Sequence, residues 1–409
     1  MTSPDKCRGS IGRSAWLTLN LKVLSLVSLL QDTASELLYP ILPLFLTTTL
    51  VAPVAVVAVM EGIADGLAAI TKLVSGSLAD RWRRRPLVGA GYGAAAAAKV
   101  LIALSTTWPL VLVARAIDRV GKGVRGAPRD ALMAEEVPDE QLGRAFGFHR
   151  SMDTAGAIIG PLLGLALFEL FHHHYRPVFL IAVVPAVLSA GAVMFVHERP
   201  RSAPTPEGWQ TPPTNSARLP RGYWLPFTIL TLFAFLNFSD ALLILRAKHL
   251  GLGVPAVIAA YALYNVTYSL ASFPAGVLAD RHAKPKIIAT GFAIFGLAYT
   301  ALGVATSAMW VWPIFAFYGT YTALTDGVAK AWIIETVPTT VRGRGLGLQG
   351  GAAGVGAIVA GAWSGLFWNG TGRGPLVIAG MAAIVLAIVV FAVTKTIAPK
   401  RSGRGAGER

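Results

Sequence analysis

Long apolar stretches recur along this chain, and they constrain its fold more than any other feature. Leu87–Ser105, Val178–Val196 and Leu376–Thr394 each reach or approach the roughly 20 residues a helix needs to cross ~30 Å of hydrocarbon. Among 409 residues, 54% are hydrophobic and 14% charged, more apolar material than a water-soluble core of this length can hide. Lipid must be part of the solvent. The pattern predicts helices near 16–46, 53–79, 86–105, 109–134, 143–170, 176–196, 222–247, 255–279, 286–306, 308–335, 343–368 and 374–396. The expected fold class is therefore all-α and integral to the membrane, with twelve transmembrane helices. An even number puts both ends on one side. The first segment carries Asp32 and Glu36 inside its apolar run and shows no small-residue cleavage site, so it is expected to stay in the mature protein.

A net charge of +15 raises the question of nucleic acid, but the basic residues sit where helices emerge and not on a contiguous soluble face. Arg81, Arg83, Arg84 and Arg85 follow the second segment, and Arg199, Arg201, Arg218 and Arg221 lie in the central loop. Arg281, Lys284 and Lys286 follow the eighth, and Arg342 and Arg344 precede the eleventh. All these loops fall on one side, while the opposite loops hold only Arg176, Arg246, Lys248 and Arg373. The positive-inside rule then places both termini in the cytoplasm of a cell-membrane protein. The lone Cys7 excludes an intramolecular disulfide.

Shifting the sequence by 200 residues lays Gly76–Arg81 (GSLADR) on Gly276–Arg281 (GVLADR), and Glu135–Gly147 on Glu335–Gly347. Two distant blocks sharing one offset point to an internal repeat. The expected organisation is a six-helix bundle over 1–196, a Pro-rich cytoplasmic linker over 197–221, and a second six-helix bundle with its tail over 222–409. The halves differ where chemistry would be added. Glu61 and Asp65, one turn apart, are matched in the repeat by Tyr261 and Asn265, with Tyr264 and Tyr268 on the same stripe. His149, Arg150 and Asp153 are matched by Gln349, Gly350 and Ala353.

Over nearly its whole length the chain resembles the major facilitator superfamily. The family's G-x-L-a-D-r-x-G-r-[KR] loop is met by Gly76, Leu78, Asp80, Arg81, Arg84 and Arg85, with Arg83 in place of the second glycine. Gly276, Asp280 and Arg281 form a degenerate second copy. The resemblance implies that Asp80 and Asp280 act as gating latches, each facing the N-terminus of a helix near Gly343 or Gly143, where the helix dipole favours an anion. The alternative is an Arg cluster that only sets topology. The row Gly147, Gly156, Gly160, Pro161 and Gly164 is similar to the motif of proton-driven exporters in that superfamily, with Leu165 where its last glycine would stand. Such a row lets two helices approach closely and suits a hinge, although small-residue packing is common in membranes. Arg115 matches the exporter pattern, whereas Asp118 and Arg119 replace its usual Gln and Gly.

Ionisable residues inside the membrane cost at least ~2.5–3.5 kcal/mol, so they normally line a cavity, pair, or both. Asp32, Glu36, Glu61, Asp65, Arg115, Asp118, Arg119, Lys122, His149, Arg150 and Asp153 form one such set. Asn237, Asp240, Asp326 and Lys330 extend it into the second half. In the resembled fold the first, fourth, seventh and tenth helices line a central cavity. Glu36, Glu61 and Asp65 have no Lys or Arg four residues away in the sequence, which makes them the leading proton-site candidates. Arg115, Asp118, Arg119, Arg150 and Asp153 could instead form a permanent ion-pair network. His149 could titrate or merely hydrogen-bond, and His172, His173 and His174 in an outward loop could meet a divalent metal or simply be solvated.

No G-x-x-x-x-G-K-[ST] loop occurs, since the GKG at Gly121–Gly123 is followed by Val124, and no hydrolytic triad spacing is evident. The expectation is a transporter and not an enzyme, with no cofactor and no resident metal. Its expected partners are a small-molecule or metal-chelate substrate, protons and membrane lipid, without nucleic acid, and it is expected to be a monomer. The leading reading is a proton-coupled antiporter exporting a small organic compound, the alternative a transition-metal or metal-chelate carrier. A transporter-like sensor is disfavoured because no soluble domain exceeds the central linker.

Overall fold

The computed structural model describes residues 17–135, 137, 141–198, 219–338 and 341–397, with the backbone alone described at 76–81, 142–144, 280 and 395–397. Fourteen α-helices and no strands occur among the described residues. They are α1 (Leu19–Leu38), α2 (Leu42–Thr48), α3 (Val54–Arg81), α4 (Arg84–Leu104), α5 (Trp108–Ala134), α6 (Leu142–Leu170) and α7 (Tyr175–Ala192). The second series is α8 (Trp224–Ala234), α9 (Asp240–His249), α10 (Val254–Arg281), α11 (Lys284–Val304), α12 (Val311–Glu335), α13 (Arg342–Leu366) and α14 (Arg373–Ile397).

Fourteen helices make twelve spans because the first span of each repeat is broken. The sequence reads as one helix over 16–46 and one over 222–247; the structure divides each in two. In the first, Pro40 has no N–H to give and its ring would strike the carbonyl one turn back, so α1 stops and α2 restarts with Pro43 in its first turn. No proline marks the second break. There Asn237, Ser239 and Asp240 supply polar side chains that compete for backbone groups, and Ser239 caps α9 by accepting the Ala241 N–H at 3.3 Å. Eight of the helices are long and apolar enough to cross a membrane by length and composition alone. Charge keeps α1 and α5 from reading that way, since α1 carries Lys22, Asp32 and Glu36, and Arg115 to Asp130 crowd α5.

Contacts group the chain into two compact units, Met1–Tyr39 with Ile70–Gln210, and Pro40–Ala69 with Thr211–Arg409. In the first, α1 packs on α6 and α7, and α4 on α5 and α7. In the second, α8 packs on α13, and α11 on α12 and α14. These contacts correspond at an offset of 200 residues, and in the second unit α10 packs on α12 as well. The start of α3 belongs to the second unit because it lies on α13. A Cβ added at Gly62 would meet Ala357 O at 2.7 Å and one at Gly361 would meet Ala58 O at 2.5 Å, which leaves the two backbones in direct contact.

Arg246, read from sequence as an outward-loop cation, is instead buried in α9. Its guanidinium donates to the carbonyls of Leu302, Gly303, Ala305 and Thr371 at 2.8–3.2 Å, closing the ends of neighbouring helices that would otherwise leave acceptors unpaired.

Candidate functional site

In the first unit the chemistry gathers along α1, α4, α5 and α6. The backbones of α4 and α5 touch at Gly91 and Gly121, where a Cβ on either would lie 2.6–2.7 Å from the other's carbonyl oxygen. That closeness lets long side chains reach across. Lys99 Nζ on α4 lies 3.4 Å from Asp118 Oδ1 on α5, with side chains 3% and 11% exposed. Arg125 stands 4.4 Å over the Tyr92 ring, and Arg115 stands 5.9 Å over that of Tyr39. Asp118 of the expected arginine network thus bonds to a lysine on the neighbouring span. The apolar reading of Leu87–Ser105 passed over Lys99, a single charge among alanines.

Asp32 on α1 lies in the fields of Asp153, Lys122, Arg125 and Glu36, and Lys122 in turn feels Arg119. Arg129 donates to Ser28 Oγ at 3.2 Å, tying α5 to α1. The glycines of α6 lie on this same face of α1. A Cβ at Gly156 would come 2.7 Å from Leu29 O and 3.0 Å from the Asp32 Cβ; one at Gly160 would come 2.7 Å from the Glu36 Cβ; one at Gly164 would come 2.9 Å from Leu37 O. Gly147 faces open space, and Pro161 sits within the helix beside Gly160. His149 completes the seam, with Nδ1 3.3 Å from Ser25 Oγ and Nε2 3.6 Å from Asp153 Oδ1. Arg150, next along α6, is exposed.

The second unit is built from tyrosine. Asp240, the first residue of α9 after the break, accepts the Tyr318 hydroxyl at 2.7 Å, with Tyr264 as a further hydrogen-bond partner and Asp65 of α3 near enough to repel it. Tyr264 stacks on Tyr318 at 5.3 Å between centroids, and both Tyr261 and Tyr321 join the cluster, at 5.5 Å and 5.0 Å respectively. Asn237 donates to the Tyr321 hydroxyl at 2.9 Å. Tyr268 donates to Asp326 at 3.2 Å, and Lys330 pairs with the other oxygen of Asp326 at 3.2 Å. Asn265 is buried and turned onto the Tyr261 carbonyl, and Glu61 is 2% exposed on α3. Sequence reading found the α10 stripe of Tyr261, Tyr264 and Tyr268 but missed Tyr318 and Tyr321, which pass for bulk in the aromatic run of α12.

Of the expected gating residues, the side chains of Gly76, Asp80, Arg81 and Asp280 lie outside the described ones. Gly276 faces open space, Arg281 is the exposed last residue of α10, and Arg85 donates to Met194 O at 2.7 Å. Beside them stand two ion pairs that the sequence did not announce, Arg84 with Glu135 and Lys284 with Glu335, at equivalent positions of the repeat. Glu198 caps the start of α4, accepting from Arg84 N at 2.7 Å.

The histidine run does not converge. His172 and His173 adopt φ of 49° and 67°, His173 turns to Glu169 at 3.2 Å, and the His174 Nδ1 lies 2.8 Å from the Phe171 carbonyl. Among the described residues, no group of three or more His, Cys, Asp or Glu is arranged to hold a metal.

Repeated six-span packing, broken first helices and buried charges along the spans define a membrane transport protein. The Major Facilitator Superfamily model matches residues 24–246 and 227–409, and the chain belongs to that superfamily, whose members transport and do not act as enzymes. It is 30% identical over 360 residues to an uncharacterized MFS-type transporter of Methanocaldococcus jannaschii, covering 86% of this chain and 89% of the relative. Shorter matches, each 30% identical, join it to the staphyloferrin B transporter of Staphylococcus aureus (38% of this chain, 37% of the relative) and to the multidrug resistance protein MdtH of Escherichia coli (34% and 33%). A crystallised POT family transporter in complex with a thioalcohol conjugated peptide has the same fold, with a TM-score of 0.77 at 12% identity over 92% of this chain and 96% of that one.

Proposed function

We propose that the protein is a proton-coupled antiporter that exports a small organic compound from the cytoplasm by alternating access, with both termini cytoplasmic and the repeats 1–196 and 222–409 as its two functional halves. One observation carries the reading: the exporter-like glycine row of α6 rests on the turns of α1 that bear Asp32 and Glu36. A carboxylate that gains or loses a proton changes its need for solvation, and here that change would fall on a seam with no room to spare. The row thus acts as the hinge, with Gly147 at its free end. In the second compact unit Glu61, Asp65 and Asp240 supply carboxylates, and the tyrosine wall supplies flat surface for an organic molecule. The latch at Asp80 and its counterpart at Asp280 belong to the same proposal, as the gates of each half. The partial likeness to a multidrug resistance protein supports this reading.

A metal-chelate cargo is the second reading. Its support is the likeness to a staphyloferrin B transporter over 38% of the chain, together with Arg115, Arg119, Lys122, Arg125 and Arg129 along α5, cations that would suit an anionic chelate.

Proteoliposomes with an imposed pH gradient, given a panel of cationic dyes, neutral drugs, free metals and carboxylate chelates, separate the two. Gradient-driven movement of a dye or drug supports the first reading, movement of chelates alone the second, and indifference to the gradient overturns proton coupling. Asp32→Asn, Glu61→Gln and Asp65→Asn are expected to lose the pH response while keeping downhill exchange.

A further inference from the structure

His149 and Asp153 lie on α6 one turn apart, at the end of the seam before Gly156. His149 is 4% exposed, and it sits between Ser25 Oγ at its Nδ1 and Asp153 Oδ1 at its Nε2. The two facing atoms, Nε2 and Oδ1, are buried 3.6 Å apart, and neither has a hydrogen-bond partner. Leaving two buried polar atoms this close and unbonded is unfavourable, because each has given up water without gaining a partner. A proton between them removes that cost, because Nε2–H then donates to the carboxylate and the two approach. A buried histidine that merely satisfied its own hydrogen bonds would show no such gap.

The surroundings suit a group that changes charge. From α1 the pair is met by Ser25, which lies against His149, and by Asp32, which is in the field of Asp153; from α5 Arg129 and Asp130 act on His149, and Arg150 adjoins it on α6, while Lys122, Arg125 and Glu36 act on Asp32 in turn. Cations and carboxylates stand there in near balance, so neither sign swamps one added proton. Asp153 also lies within the field of Asp32, whose Cβ touches the Gly156 backbone. A change of charge on the pair therefore falls on the contact through which α6 leans on α1.

We propose that His149 and Asp153 together hold one exchangeable proton, and that this pair is a proton-binding site of the first unit. Its functional meaning rests on the proton-coupled reading above, but its existence is tested without any substrate. The full chain, labelled with 13C-histidine and purified in detergent, presents seven histidines. The His149 signal is the one lost in His149→Gln, or, where that variant fails to fold, the one displaced most in Ser25→Ala. It is expected to titrate as the sample is taken from about pH 8 down to about pH 3. Asp153→Asn is expected to move its midpoint by about one pH unit or more, a tenfold change in proton affinity. A His149 signal that stays fixed across that range, or one that titrates identically with and without the Asp153 carboxylate, overturns the proposal. If transport answers a pH gradient while His149 does not titrate, the coupling proton sits elsewhere and the antiport reading survives alone.

Discussion

Tyr318 donates its hydroxyl to Asp240 at 2.7 Å, joining the middle of α12 to the first residue after the break in the seventh span. Removing that donor while leaving the buried carboxylate should cost about 1–3 kcal/mol. Tyr318→Phe is therefore expected to lower thermal stability in detergent by that amount. Asp240→Asn should cost less, because an amide oxygen still accepts the hydroxyl. If Asp240 serves transport, its variant will lose more activity than stability, and Tyr318→Phe the reverse; equal losses in both would assign Asp240 a purely structural part.

Close packing on α1 predicts a graded response along α6. Gly156→Ala and Gly160→Ala place a methyl inside 3 Å of α1 backbone atoms and should destabilise by about 1–3 kcal/mol each. Gly147→Ala meets no atom within 4 Å and gains helix propensity, so it should be neutral or slightly stabilising. Thermal unfolding of the three variants gives the ranking, and a Gly147 variant as damaged as the other two would contradict it.

The span count, the repeat and the α6 glycine row were legible because each is a periodicity, and periodicity survives in one dimension. What the sequence hid is pairing. Lys99 went unmarked in an alanine run until α5 brought Asp118 to it, and Glu135 and Glu335 looked like parts of a matched block until Arg84 and Lys284 folded onto them. The break before Asp240 escaped notice for a different reason. Pro40 breaks its span by covalent geometry, whereas Asn237 and Ser239 act through hydrogen bonds that many helices tolerate.

Lys99 and Asp118 are buried charges, so losing one partner is worse than losing both. Lys99→Met or Asp118→Leu alone should destabilise by about 3–5 kcal/mol, and the double variant Lys99→Met/Asp118→Leu by much less. A double-mutant cycle measures this, and strict additivity would mean that the two groups do not depend on each other.

The repeated ion pairs should be equivalent. Glu135 and Glu335 have side chains 40% and 57% exposed, which limits each pair to about 0.2–1 kcal/mol. Arg84→Glu should be rescued by Glu135→Arg, and Lys284→Glu by Glu335→Lys, to similar extents in unfolding midpoint. Rescue in one half only would break the functional symmetry of the two loops.

Counter-movement of protons tests proton coupling most directly. Inside-out membrane vesicles are acidified internally, a fluorescent dye reports the pH difference, and ethidium and then each compound moved in the proteoliposome panel is added. In wild-type vesicles a transported compound is expected to dissipate the gradient, and His149→Gln and Asp153→Asn are expected to abolish this while downhill exchange of the same compound continues. Transport of that compound at full rate with no proton movement in wild-type vesicles would contradict proton coupling.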